Sequence, residues 1–391
     1  MLSKVNLPVS RPGRDNSSGG KDVRSSPVRK IATCLPGVLL MMAALATRPA
    51  NVDDFRAFYR GAGLIHSAAG VYSNPGNTPA TFLPFLRLPS YAWMLRPLHS
   101  LGYQSAHAVW TGILILTFGV SLWIARDRRN ELALAMCYSF PVAFSIALGQ
   151  DIGFVILIAM AAVRLHSAKR EASAGLVASL LAIKATYLFP VALVFLARSR
   201  RGSYGLAAGT AIQIALSFAL EGSQWPLRYL AVLENPLLDP EPRRMLSFRA
   251  LLTAFPRAGL LFVLAAAIAM GWLWFAARRL RFADAMTVAL PLGLIASAHG
   301  YGYDAVVLIP LFVSASSLRT WTGRLALFGL TPIPYILLLG STPAVVFLGS
   351  ASVIAAVVFA TIGLYRTRSV RAEEWSIRLT PDSAPRVSPA T

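Results

Sequence analysis

The stretch Thr81–Ser100, TFLPFLRLPSYAWMLRPLHS, is the one on which the topology turns. Its length and apolar content suit a membrane crossing, but Pro84, Pro89 and Pro97 interrupt it and Arg87 and Arg96 charge it. Proline removes a backbone donor, and a charge at membrane depth is costly, so the stretch reads as an outer-face or re-entrant helix. The basic loops point the same way. With 48–103 held outside, 26 Lys and Arg fall on the cytoplasmic side and 11 on the outer side. A crossing by 81–100 would swap every later loop. The downstream count of 19 inside against 6 outside would then invert, against the rule that basic residues stay inside.

Composition sets the solvent. The 391 residues are 55% hydrophobic and 14% charged, where a soluble chain would carry about a quarter charged residues. A soluble globular fold is excluded. The net charge of +20 is carried by cytoplasmic loops and tails, so it is a topology signal and no nucleic-acid partner is expected. Cys34 and Cys137 both lie in apolar stretches, and their isolation supports neither a disulfide framework nor a thiolate metal site.

The expected fold is all-α, a polytopic transmembrane helical bundle. Residues 1–30 read as a disordered basic cytoplasmic tail, 31–364 as the membrane domain and 365–391 as a polar cytoplasmic tail. The first span is 31–47. Apolar runs then recur at about 104–125, 131–148, 152–166, 172–184, 187–197, 203–220, 258–277, 283–298, 303–317, 324–340 and 343–364, about twelve in all. Several fall short of the roughly 17 to 25 residues of a full crossing and read as broken half-helices. Long outer loops follow spans one and seven.

This topology gathers four polar clusters on the outer face: Asn51-Val-Asp53-Asp54-Phe55, Gly149-Gln150-Asp151, Lys184, and His299-Gly-Tyr301-Gly-Tyr303-Asp304. The loop 221–257 adds Arg243 and Arg244. Ionisable groups at such positions mark functional cavities. Each also has a plain structural reading. Asp54 precedes Phe55, Phe58, Tyr59 and Ala62 at helical spacing, and taken alone it is better placed to cap that helix than to do chemistry. Gly149-Gln150-Asp151 suits a tight turn, Lys184 can snorkel to headgroups, and the tyrosines near His299 can belong to an interfacial belt.

The order of these clusters resembles glycosyltransferase family 87. The resemblance rests on D-F-x-x-F-Y-R-x-A from Asp54, on Leu88-Pro89-Ser90 and Pro97-Leu98 through to Trp110, and on Leu148-Gly149-Gln150. It continues with Lys184 before a proline-containing helix and His299-x-x-x-Tyr303-Asp304, spanning about 50 to 320. The chain departs from the family's Tyr-Pro-Pro at Leu88-Pro89-Ser90 and from its Lys-Pro at Lys184-Ala185. The resemblance implies a C-type membrane fold and transfer of a hexose or pentose, mannose-like first, from a polyprenyl-phosphate donor to a lipid or glycan acceptor. It also implies inversion at the sugar carbon, with the loop aspartate as base.

Asp54 is the expected base, with Asp53 as the alternative. Lys184, His299 and Arg243 or Arg244 are candidates for the phosphate, Gln150, Tyr303 and Asp304 for the sugar, and Asp151 for substrate or phosphate binding. Tyr59 would line the lipid approach. No cofactor or metal is expected, because the donor brings its own leaving group and the carboxylates are scattered. The expected location is the plasma (inner) membrane, multi-pass, with both termini cytoplasmic. A transporter or flippase of a lipid-linked solute, or a non-catalytic member of the fold, are the alternatives. Reporters fused at Asn51 and Ser297 are expected to read out on the outer side; a cytoplasmic signal from either would overturn this topology.

Overall fold

Apolar runs punctuated by proline, glycine and charge fold into helices. The computed structural model describes residues 39, 54–67, 70–73, 84–125, 128–234, 242–318 and 320–379, among which no strand occurs. The expected first span and Asp53 lie outside the described residues, apart from Leu39. Helices α1 (Phe55–Leu64) and α2 (Pro89–His99) precede α3 (Tyr103–Ile124). A pair bent by 65°, α4 (Arg129–Cys137) and α5 (Phe140–Ala147), leads to α6 (Ile152–Ser167). Then come α7 (Glu171–Ser179), a 3-10 turn (Leu180–Lys184), α8 (Ala185–Arg198), α9 (Arg200–Glu221) and α10 (Trp225–Leu233). A 3-10 turn (Pro242–Arg244) and α11 (Phe248–Leu252) lead to α12 (Ala258–Arg279) and α13 (Phe282–Ile295). The chain closes with a 3-10 segment (Gly302–Leu308), α14 (Ile309–Ser316), α15 (Trp321–Leu330), α16 (Ile333–Leu337) and α17 (Pro343–Leu379).

By length and composition, five helices among the described residues can cross a membrane, or six if the bent pair counts as one span. The runs at α6, α13 and Gly302–Ser316 are shorter. Several of the expected runs are thus half-length pieces. Helix α17 runs on from the last apolar run to Leu379.

Residues 171–198 would pass for one 28-residue span by length and hydropathy. A straight helix of that length would separate its ends by about 42 Å. Instead Ser199 Oγ donates to Glu171 Oε2 at 2.7 Å. The segment is thus a hairpin of two half-length helices with Lys184 at its apex, as the break between the two apolar runs suggested. Helix α9 then runs alongside α7, and the approach is close. A Cβ on Gly175 would stand 1.9 Å from Gly202 O, and one on Gly205 would stand 2.1 Å from Ala172 O. Small residues at a helix crossing let backbones touch where no hydrophobic force drives helices together in lipid.

The connections sort into two ends. At one, the His166 ring stacks on Phe282 with centroids 3.8 Å apart, and Arg198 donates to Arg278 O. There too Arg281 and Arg368 flank Asp284. At the other, Asp54 N donates to Leu148 O at 3.0 Å and Arg87 pairs with Asp151. Helix α6 joins the two ends, and its 16 residues rise about 24 Å.

The 81–100 stretch stays at the second end. Pro89 opens α2 at the first turn, where its missing N–H costs nothing. Arg87 at its start meets Asp151, and His99 at its finish packs against Tyr59. In sealed oriented vesicles, cysteines placed by Ala168→Cys and Arg201→Cys are expected to label from the same side. Labelling from opposite sides would mean that 171–198 crosses once.

Candidate active site

Four aromatic residues and a glycine set the floor of the site. Trp110, fully buried in α3, lies 5.6 Å from Phe55, 6.0 Å from Phe58 and 5.6 Å from Phe154 between ring centroids. Its indole N–H donates to Gly149 O at 2.7 Å. One side chain thus seats α1 and the turn between α5 and α6 against each other. Gly149 makes that turn at φ 68°, a left-handed conformation that suits glycine. The turn delivers Gln150 and Asp151, both buried.

Asp54 occupies the N-cap position of α1 but makes no side-chain cap bond. Its carboxylate instead accepts from Gln150 Nε2, 96 residues away in sequence. The capping reading is thereby set aside. Burial, opposed by the hydrogen bond from Gln150 and by the charges of Lys184 and Arg87, pushes the Asp54 carboxyl from 3.8 up to about 6.

Two ion pairs stand beside it. Arg87 donates to both oxygens of Asp151, Nε at 2.8 Å and Nη2 at 2.9 Å, the forked geometry that makes arginine the better partner for a carboxylate. Burial works against the Asp151 carboxylate, but Arg87 outweighs it and holds the group below its ordinary value. Arg87 also lies over the Phe58 ring at 5.3 Å, and its carbonyl accepts from Tyr72 Oη at 2.6 Å. Lys184, 9% exposed, pairs with Asp304, 1% exposed. That rules out a snorkelling lysine. The second oxygen of Asp304 accepts from Tyr301 N at 3.1 Å, closing a capping box on the 3-10 segment. The Lys184 ammonium lies 5.4 Å from the centre of the Tyr303 ring.

The structure therefore brings together Asp54, Gln150, Asp151, Lys184, Tyr303 and Asp304. Four other candidates sit apart from this cluster. Arg243 and Arg244 are exposed on their 3-10 turn. The chain just after that turn docks on the His299 loop, Leu246 N donating to Gly300 O at 2.6 Å, so both arginines belong to the rim. His299 is half-buried in that loop. Tyr59 donates to Leu101 O at 2.8 Å and packs on His99 and Tyr103, which makes it a strut of the α1–α3 corner. Arg87 is the member that sequence reasoning left out of the site. Its signal was present: a charge in an apolar, proline-broken stretch that does not cross.

The model of a family described as Glycosyltransferase family 87 matches residues 85–298. No curated protein and no solved structure matches.

A buried pair that loses one member leaves an uncompensated charge, which costs about 3–5 kcal/mol. Lys184→Met is expected to lower stability by about that amount, read from thermal unfolding of the purified protein. Lys184→Met with Asp304→Asn is expected to recover most of it. Equal losses in the single and double variants would mean that the two side chains are not coupled.

Proposed function

This chain belongs to glycosyltransferase family 87 and is a membrane glycosyltransferase, and we propose that it transfers a hexose or pentose, mannose-like first, from a polyprenyl-phosphate donor to a lipid or glycan acceptor. The observation that carries the mechanism is the Asp54 carboxylate. It is half-buried, uses neither oxygen to cap its helix, and is held by Gln150. A carboxyl poised near 6 is ionised at neutral pH yet basic enough to take a proton in the transition state.

In this reading Asp54 removes the proton from the acceptor hydroxyl. The acceptor oxygen attacks the anomeric carbon on the face opposite the phosphate. The bond from that carbon to the phosphate oxygen breaks, its electron pair leaves with polyprenyl phosphate, and the configuration inverts. Phosphate is a stable leaving group and needs no dedicated general acid. It does need positive charge nearby.

The buried cluster holds three carboxylates, Asp54, Asp151 and Asp304, against two cations, Arg87 and Lys184. An incoming phosphate therefore calls on the rim residues Arg243, Arg244 and His299 as well as Lys184. The basic connectors at the opposite end support a non-cytoplasmic site under the positive-inside rule, and with it cytoplasmic termini in the plasma membrane. The half-helices meeting at Lys184 and Asp304 would also suit a transporter; family membership supports transfer chemistry instead.

Asp54→Asn is expected to lower the transfer rate by about 10²–10⁴-fold, measured with labelled polyprenyl-phosphate mannose in membranes. Full activity in that variant would remove Asp54 from the mechanism. For the unmodified protein, kcat/KM is expected to rise with pH through about 6, as the base ionises. Stability moves the other way. Asp54 holds its proton more tightly folded than unfolded, so its contribution is complete below 3.8 and is lost as pH rises through about 6. Asp54→Asn at neutral pH is accordingly expected to keep or raise the unfolding temperature while it slows turnover.

A further inference from the structure

Three buried polar atoms at the cluster have no hydrogen-bond partner: Gln150 Oε1 and the phenol oxygens of Tyr91 and Tyr187. Buried polar groups are nearly always bonded, and an orphan needs a reason. Gln150 spends its amide N–H₂ on Asp54, which leaves its carbonyl oxygen as an unused acceptor. Tyr187 is 0% exposed and stands three residues beyond Lys184, in the first turn of α8. Its ring lies against α13 at Gly293, where a Cβ would come within 3.5 Å of Tyr187 Cδ1.

The phenol is within electrostatic reach of Asp304, Asp151 and Arg87. Phenylalanine would fill the same volume without burying a hydroxyl. Tyr335 shows the ordinary arrangement in this protein: it is 3% exposed, and its hydroxyl donates to Gly329 O at 2.8 Å.

We propose that Tyr187 binds the transferred sugar, its phenol donating to a ring hydroxyl while Gln150 Oε1 accepts from another. The inference rests on the glycosyl-transfer reading above and adds the donor-sugar side of the same site. Asp54 marks where the acceptor hydroxyl must lie. Tyr187 shares the charged neighbours Asp304 and Arg87 with Asp54, so a donor ring held by its phenol would lie at the same cluster. A ligand with a hydroxyl pattern is the chemistry that satisfies one spare donor and one spare acceptor together. A polyprenyl-linked ring lacking the matching hydroxyl would leave the phenol orphaned and be rejected.

The test uses Tyr187→Phe in the full-length protein, with membrane extract as the acceptor source. The donors are polyprenyl-phosphate mannose and its monodeoxy analogues. The variant is expected to keep or raise the unfolding temperature, because it removes an unbonded hydroxyl. It is expected to lower kcat/KM on the parent donor about tenfold. On one deoxy analogue, the one lacking the partnered hydroxyl, variant and unmodified protein are expected to be equal. Tyr335→Phe serves as the contrast, with a lower unfolding temperature and unchanged activity per folded molecule.

Unchanged activity of Tyr187→Phe on the parent donor overturns the proposal, as does a loss of the same size on every analogue. A fall in unfolding temperature like that of Tyr335→Phe would assign the hydroxyl to the fold, by way of a buried water, and overturn it too. Failure of the unmodified protein to transfer from any polyprenyl-phosphate hexose or pentose donor would instead remove the transfer reading, and this inference with it.

Discussion

The ion pair between Lys184 and Asp304 is the contact on which the architecture depends. Lys184 ends the 3-10 turn where the chain reverses between α7 and α8, and Asp304 lies in the 3-10 segment that follows α13. The hairpin of α7 and α8 does not cross in one piece, and α13 and the Gly302–Ser316 run are each shorter than a full span. A half-length helix leaves backbone groups and polar side chains at depth, and these are tolerated only where protein or a cavity covers them. The pair supplies part of that cover. Each half-helix can stop where it does because the other brings the opposite charge.

A second constraint is geometric. Gly175, Gly205 and Gly209 let α7 and α9 approach until a Cβ would collide with the neighbour. That contact holds the hairpin upright against α9. On the other flank, Trp110 anchors α1 to the turn that carries Gln150 and Asp151. The site is therefore assembled from three elements, each pinned by packing outside the site. Arg87 connects them, reaching from the segment before α2 to Asp151 and covering Phe58 on α1. Such support is what holds a catalytic constellation to its working geometry.

The same arrangement explains how one carboxylate differs from its neighbours. Asp151 and Asp304 each have a cation in direct contact, whereas Asp54 has only the amide of Gln150. Burial without a charged partner is what leaves Asp54 basic. The separation of roles among three aspartates follows from where the two cations went.

Much of this was legible in the sequence. Composition determined a membrane protein, because no soluble fold can bury so much apolar surface with so few charges. The prolines and arginines of Thr81–Ser100 and the distribution of basic loops determined that this stretch stays on one side, because lipid penalises both. The break at Lys184 was visible as two apolar runs, each too short to cross. Only the tertiary structure decided what each polar residue is for. Asp54 had the right position to be a cap, and what excludes that is the contact with Gln150, 96 residues away. Arg87 meets Asp151 across 64 residues and Lys184 meets Asp304 across 120. Residue order records hydropathy and charge locally, since the bilayer acts on each segment as it stands. It carries no comparable record of which buried charges will neutralise one another, because that is settled only when helices distant in the chain are packed side by side.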